Sequence, residues 1–203
     1  MIIPKLHFKY AFPFDRNRRQ LFSDKNLGPY PSIEEVENKV CEWRDIWENL
    51  NAEDKVFKSI IEVTGVNLPR DLEMCIFGAG MSAMSSPLMM PIADRDGKFF
   101  TDDKFIETTI HEVVHRFVGD YENNSGIENY WEAIRKEYSG ESILTQNHII
   151  IYAVLDAVLM ELFSKGRTED FIHPKHPDYQ RAFVIVSENG SGKLIKQFRM
   201  YLK

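Results

Sequence analysis

Residues 102–119 read DDKFIETTIHEVVHRFVG, with apolar side chains at Ile106, Ile110, Val113, Val114 and Phe117. They recur at i, i+4, i+7, i+8 and i+11, the spacing of a helix that buries one face, and this predicts a helix over 103–118. Asp102 and Asp103, just after Thr101, offer side-chain oxygens to the unpaired N–H groups of the first turn, and Gly119 supplies a C-cap.

On that helix His111 and His115 stand four residues apart, so they leave the same side with roughly 6 Å of axial rise between them. One divalent ion can reach both imidazoles, and zinc takes such nitrogens at about 2 Å while tolerating a water as its fourth ligand. Glu112 is turned by roughly 100° around the axis, out of the ligand stripe but within reach of that water, as a general base requires. Glu107, one turn before His111, is placed to orient a ligand.

The pentapeptide His111-Glu112-Val113-Val114-His115 resembles the signature of the zincin metallopeptidases, His-Glu-x-x-His on a helix. The resemblance covers this helix only. It implies a Zn²⁺ cofactor held by His111 and His115, with Glu112 activating the water. The metzincin extension asks for glycine three residues after the second histidine and a further histidine three later. Val118 and Tyr121 stand there, which excludes that subgroup.

A catalytic zinc needs a third protein ligand. Residues 143–163, ILTQNHIIIYAVLDAVLMELF, are apolar on nearly every face and predict a buried core helix; His148, Asp156, Glu161, Gln146 and Asn147 argue against a membrane span. His148, Tyr152 and Asp156 recur every four residues and form one polar stripe. His148 is the expected third ligand and Tyr152 the expected oxyanion donor, with Asp156 as an outer acceptor or alternative ligand. The gluzincin branch completes its site with a glutamate from a later helix. That points to Glu132, Glu137 and Glu161, Glu132 first, although the motif that accompanies it there is absent. A cysteine ligand, as in the peptide deformylases, would bring in Cys75, but EMCIFGAG differs from their glycine-cysteine-leucine-serine context. Cys75 is expected to be a buried apolar residue.

Outward from the site, residues 1–12 have extended, strand-like composition, and FDRNRRQLFSDKNLGPYP, residues 14–31, reads as a connecting loop. Ser32 with Glu35 three residues later has capping-box spacing, and Val36, Val40, Trp43 and Ile46 or Trp47 build the apolar face of the helix that follows. A second helix is expected over 53–65, antiparallel to the first. DLEMCIF and SPLMMPI are short apolar runs between turn signals, so they predict strands. Pro87 and Pro91 favour an edge position for residues 85–92, a place where an extended peptide could add as a strand. FIHPKHPDY reads as a loop in which His173 and His176 are loop residues with a further capacity for metal or oxyanion contact. GSGK lacks the remaining residues of a phosphate-binding loop, and nucleotide binding is rejected.

The expected fold class is α+β: a single mainly helical, zincin-like domain over 1–203, with a small sheet before the active helix. Its helical portion, about 32–66, is expected to pack on the metal-site portion, about 70–203. The chain has 203 residues, 43% hydrophobic, with a formal net charge of −6, a balance that argues against broad nucleic-acid binding. Its 2 cysteines, Cys41 and Cys75, imply no disulfide framework, and MIIPKLHFKYAFPF lacks the continuous apolar run of a signal peptide. A cytoplasmic location without membrane association is the resulting expectation. The expected activity is zinc-dependent hydrolysis of peptide amide bonds in a peptide or protein substrate. The alternative is an inactive zincin-like binding or regulatory protein.

Overall fold

The computed structural model describes residues 3–68, 70–94, 96–119, 124–162 and 176–202. The class is α+β: the described residues are mostly helical and carry one 4-stranded mixed sheet. The chain forms two compact units, Met1–Asp54 with Pro69–Val113, and Lys55–Leu68 with Val114–Lys203.

The first unit holds the sheet. Strands β1 (Leu6–Tyr10), β2 (Leu72–Phe77), β3 (Met84–Ser85) and β4 (Leu88–Pro91) lie in the order β1-β2-β4-β3. β1 and β4 both run parallel to β2, and β3 is antiparallel to β4. The expectation that 85–92 forms an edge is therefore corrected, because β4 pairs on both sides and the two-residue β3 takes the outer place. Pro91 is accommodated because it is the last residue of β4, while Pro87 sits in the turn before it. At the opposite edge, β1 has two of its backbone groups engaged by side chains. Leu6 N–H donates to Glu53 Oε1 at 2.9 Å and Arg44 donates to the Phe8 carbonyl at 3.3 Å. Such cover blunts an edge against unwanted strand pairing.

Residues 14–31 are not a simple loop. Helix α1 spans Phe12–Lys25, with proline in its first turn and Asn26 in the left-handed conformation closing its end. Its inward face rests on a carboxylate rather than an apolar stripe, which is why hydrophobic periodicity misses it. Asp15 is fully buried and accepts hydrogen bonds from Tyr10 Oη (2.8 Å), Tyr30 Oη (2.7 Å), Arg19 Nη2 (2.9 Å) and Gly78 N–H (2.6 Å). Burial, reinforced by Asp15, pushes the Tyr10 hydroxyl up to about 12 and Tyr30 higher still, so both remain donors.

Helix α2 (Ile33–Asn49) starts with the expected capping box. Ser32 Oγ accepts from Glu35 N–H at 3.1 Å, and Glu35 accepts from Ser32 N–H at 2.6 Å. The helix buries Val36, Val40, Trp43 and Trp47 and packs on β1 and β2. Helix α4 (Asp102–Val118) opens in this unit, where Phe105 stacks on Trp43 at 4.4 Å. Its cap is Thr101, not Asp102 or Asp103: Thr101 Oγ1 accepts from Lys104 N–H at 3.3 Å, while both aspartates are exposed. They lie in the first helical turn, where a carboxylate meets the dipole favourably but the cap geometry belongs to the residue before it.

The second unit is helical and surrounds α6 (Ile143–Leu162). Helix α3 (Lys58–Thr64), entered through a π-helical turn at Glu53–Phe57, packs on α6, as do α5 (Ser125–Glu137), α7 (Pro177–Asn189) and α8 (Ser191–Tyr201). α6 is long and apolar enough to cross a membrane by length and composition, yet 67% of its most apolar window is buried by the protein itself. It is a core helix. The last turn of α4 belongs to this unit; Gly119 N–H donates to the His115 carbonyl at 3.0 Å and Trp131 Nε1 to the Val118 carbonyl at 3.0 Å. The orphan carbonyls of that terminus are thus partly satisfied from α5.

Replacing Asp15 by Asn keeps the volume but turns one acceptor oxygen into a donor facing donors. Asp15→Asn should lose about 2–4 kcal/mol of unfolding free energy in urea denaturation, and a loss below about 0.5 kcal/mol, the usual range of a surface change, would refute the hub.

Candidate metal centre

His111 and His115 leave successive turns of α4 and His148 leaves the first turns of α6. One ligand atom from each lies within 4.8 Å of the others. The His115 and His148 rings meet edge to face, with centroids 5.0 Å apart. Two nitrogens sharing one tetrahedral zinc stand about 3.4 Å apart, from bond lengths of about 2.0–2.1 Å. Three imidazoles gathered within 4.8 Å could hold a divalent ion after a small closing of the rings.

The state of these rings follows from burial. His148 is 4% exposed and its Nδ1 lies 2.8 Å from the Leu144 carbonyl. A carbonyl only accepts, so Nδ1 carries the hydrogen and the lone pair resides on Nε2. Burial lowers the pKa of His148, against a smaller raising effect of that hydrogen bond. His115 is pushed down to about 3, first by burial and then by its neighbour His148. Both are neutral at physiological pH, the form that binds a metal. Glu112, 8% exposed, is pushed up to about 8 by burial alone.

The other expected participants fall in different places. Tyr152 is buried one turn beyond His148, their rings 6.3 Å apart. Asp156 is outside the histidine cluster and accepts a short hydrogen bond from Ser191 Oγ at the start of α8. Glu132 is exposed on α5, Glu137 accepts from Gln197 at 2.8 Å, and Glu161 accepts from Ser59 at 2.6 Å. Each of these carboxylates lies outside the cluster. Glu107 is half-buried on α4, one turn before His111. Cys75 is half-buried on β2 rather than fully buried, and burial raises its thiol pKa. His176 precedes the helix as its N-cap, accepting from Asp178 N–H at 3.3 Å through Nδ1, while Pro177, Asp178 and Tyr179, expected as loop, form the first turn of α7. His173 lies outside the described residues.

Sequence reasoning missed Tyr179. Its ring lies 4.3 Å from that of His148, tilted 35°, and 6.4 Å from that of Tyr152. No apolar period marks it; the only signal is its place in the first turn of a helix opened by His176-Pro177.

Comparison with protein-family models, with curated proteins and with solved structures gives no match to this chain.

The buried groups make opposed contributions to the pH dependence of the metal-free protein. The folded pKa of His115 lies below its unfolded value, so the unfolded chain binds more protons as pH falls below about 6.5, and stability drops. Glu112 is the reverse: its raised folded pKa costs stability as pH rises from about 4.5 toward 8. In chelator-treated Glu112→Gln protein only the histidine contribution of this pair remains. Lowering the pH from 7 to 5 should then cost roughly 2 kcal/mol in urea unfolding, from 1.36 kcal/mol per pH unit below the unfolded pKa. The same change should be much smaller in wild type.

Proposed function

We propose that the protein is a zinc-dependent hydrolase of amide bonds, a zincin-like metallopeptidase acting on a peptide or protein substrate. The observation that carries this reading is the convergence of His148 on the His111–His115 pair, beside a buried Glu112. An order of small sheet followed by histidine-bearing helix supports a zincin-like fold. Two thiols without a disulfide framework favour a cytoplasmic setting.

His111, His115 and His148 would hold the ion, each as a neutral imidazole. Bound there, zinc would supply a Lewis acid that lowers the pKa of water to about 7 and polarises a carbonyl oxygen. Glu112 takes the proton of the attacking water on its carboxylate and returns it to the leaving amine. Burial raises its affinity for that proton, the direction a general base needs. Tyr152, one turn from His148 on the same helix, donates its hydroxyl hydrogen to the oxyanion that forms at the carbonyl. The neutral rings around the site and the core beneath α6 limit water and strengthen these contacts.

Purified protein reconstituted with zinc should bind one equivalent by atomic absorption, and His148→Ala should weaken binding at least tenfold. Glu112→Gln should retain the metal while amide hydrolysis falls by about 10²–10⁴-fold. Turnover equal to wild type in Glu112→Gln would refute the mechanism. Stoichiometric zinc with no turnover of a broad peptide library by wild type would favour the binding or regulatory role instead.

A further inference from the structure

Helix α7 begins as a clamp on the first turns of α6. Ser142 Oγ donates to Asp178 Oδ1 at 2.6 Å, and Thr145 Oγ1 donates to the same oxygen at 3.1 Å. One turn along, Arg181 pairs with Glu141 through Nε at 2.8 Å and Nη2 at 2.7 Å. His176 closes the start of the helix by accepting from Asp178 N–H. Tyr179 stands between these attachments, and its ring covers His148 at 4.3 Å with a 35° tilt.

The bond from His148 Nδ1–H to Leu144 fixes which nitrogen carries the lone pair, and the Tyr179 ring lies directly against the imidazole that this bond holds. At 4.3 Å between centroids and a 35° tilt the two rings are in direct contact, and the anchor of that contact is a helix turn held at two further points.

We propose that Tyr179 is a positioning residue for His148, its ring holding the imidazole so that Nε2 points where His111 and His115 converge. The consequence for metal binding rests on the three-histidine reading; the consequence for the ring itself does not. Outer groups that orient a ligand histidine typically change metal affinity by about 10–100-fold when removed, and Tyr179 does this with a ring face where a carboxylate or carbonyl is the usual device.

Two sets of measurements test it on the full chain. In metal-free wild type, nuclear magnetic resonance should show His148 ring protons shifted upfield and coupled through space to the Tyr179 ring, with ¹⁵N shifts of a single Nδ1–H tautomer. Their absence would overturn the proposal whatever the variants do. In Tyr179→Leu the ring-orientation signals should become averaged while the Nδ1–H tautomer persists, zinc affinity should fall about tenfold, and the visible spectrum of the cobalt-substituted protein should change. Tyr179→Phe, which keeps the ring, should match wild type in all three. Tyr179→Leu indistinguishable from wild type would sink the positioning role, and Tyr179→Phe behaving like Tyr179→Leu would transfer it to the hydroxyl and overturn the ring contact. Wild type that takes up no zinc but shows the Tyr179-dependent His148 signals would refute the metal reading and leave the positioning role standing.

Discussion

The middle of helix α6 has no surface that can be left in water, and the arrangement of the second unit follows from that constraint. Ile149, Ile150, Ile151, Ala153, Val154 and Leu155 are all completely buried, positions that together face every direction around the axis. Helices α3, α5, α7 and α8 supply the cover. Inside such a shell every polar atom needs a partner or costs several kcal/mol, and the partners are specific. Gln146 donates to the carbonyls of Tyr138 and Glu141, Thr145 reaches Asp178, and Asp156 receives Ser191. His148, whose Nδ1 is bonded to the Leu144 carbonyl, is the member of this series that gathers with other histidines.

The polar exceptions on α6 were legible because an apolar run makes them stand out, but the same stripe gave unequal results. His148 and Asp156 share a face and are eight residues apart, about 12 Å along the axis. A stripe records direction, not proximity, so one residue joins the cluster while the other ties down the start of α8. Helices α2 and α4 were legible for two different reasons, a capping box in the first and an apolar period in the second. Helix α1 was not, because its buried side chains are Asp15 and Phe22, and a buried carboxylate reads in sequence like an exposed one. The position of β4 was misjudged because its outer neighbour β3 is only 2 residues long, too short to show alternation. Tyr179 was beyond reach for another reason: its relation to His148 is made entirely by the packing of α7 on α6.

Burial also shapes the chemistry available at the three histidines. The same desolvation that keeps His115 and His148 neutral raises the proton affinity of Glu112. Neutral imidazoles and a carboxyl group of raised proton affinity therefore arise from one physical cause, the withdrawal of water around α4 and α6. Charge enters such a site most favourably with a compensating charge, and a dication beside a carboxylate is one arrangement that satisfies this.

Each compact unit is assembled from two separated stretches of chain, with residues Lys55–Leu68 belonging to the later-completed one. Helix α3 therefore emerges during synthesis long before its covers, α6 and α8, exist. Its buried Ile60 and Ile61, with Val56 and Phe57 just ahead of them, must wait unpaired while the intervening strands and α4 are made. A fragment ending near residue 113 would contain all of the first unit's chain and still carry this apolar helix without a place to put it. The order of translation thus makes the second unit's completion, rather than the sheet's, the step that ends exposure of sticky surface.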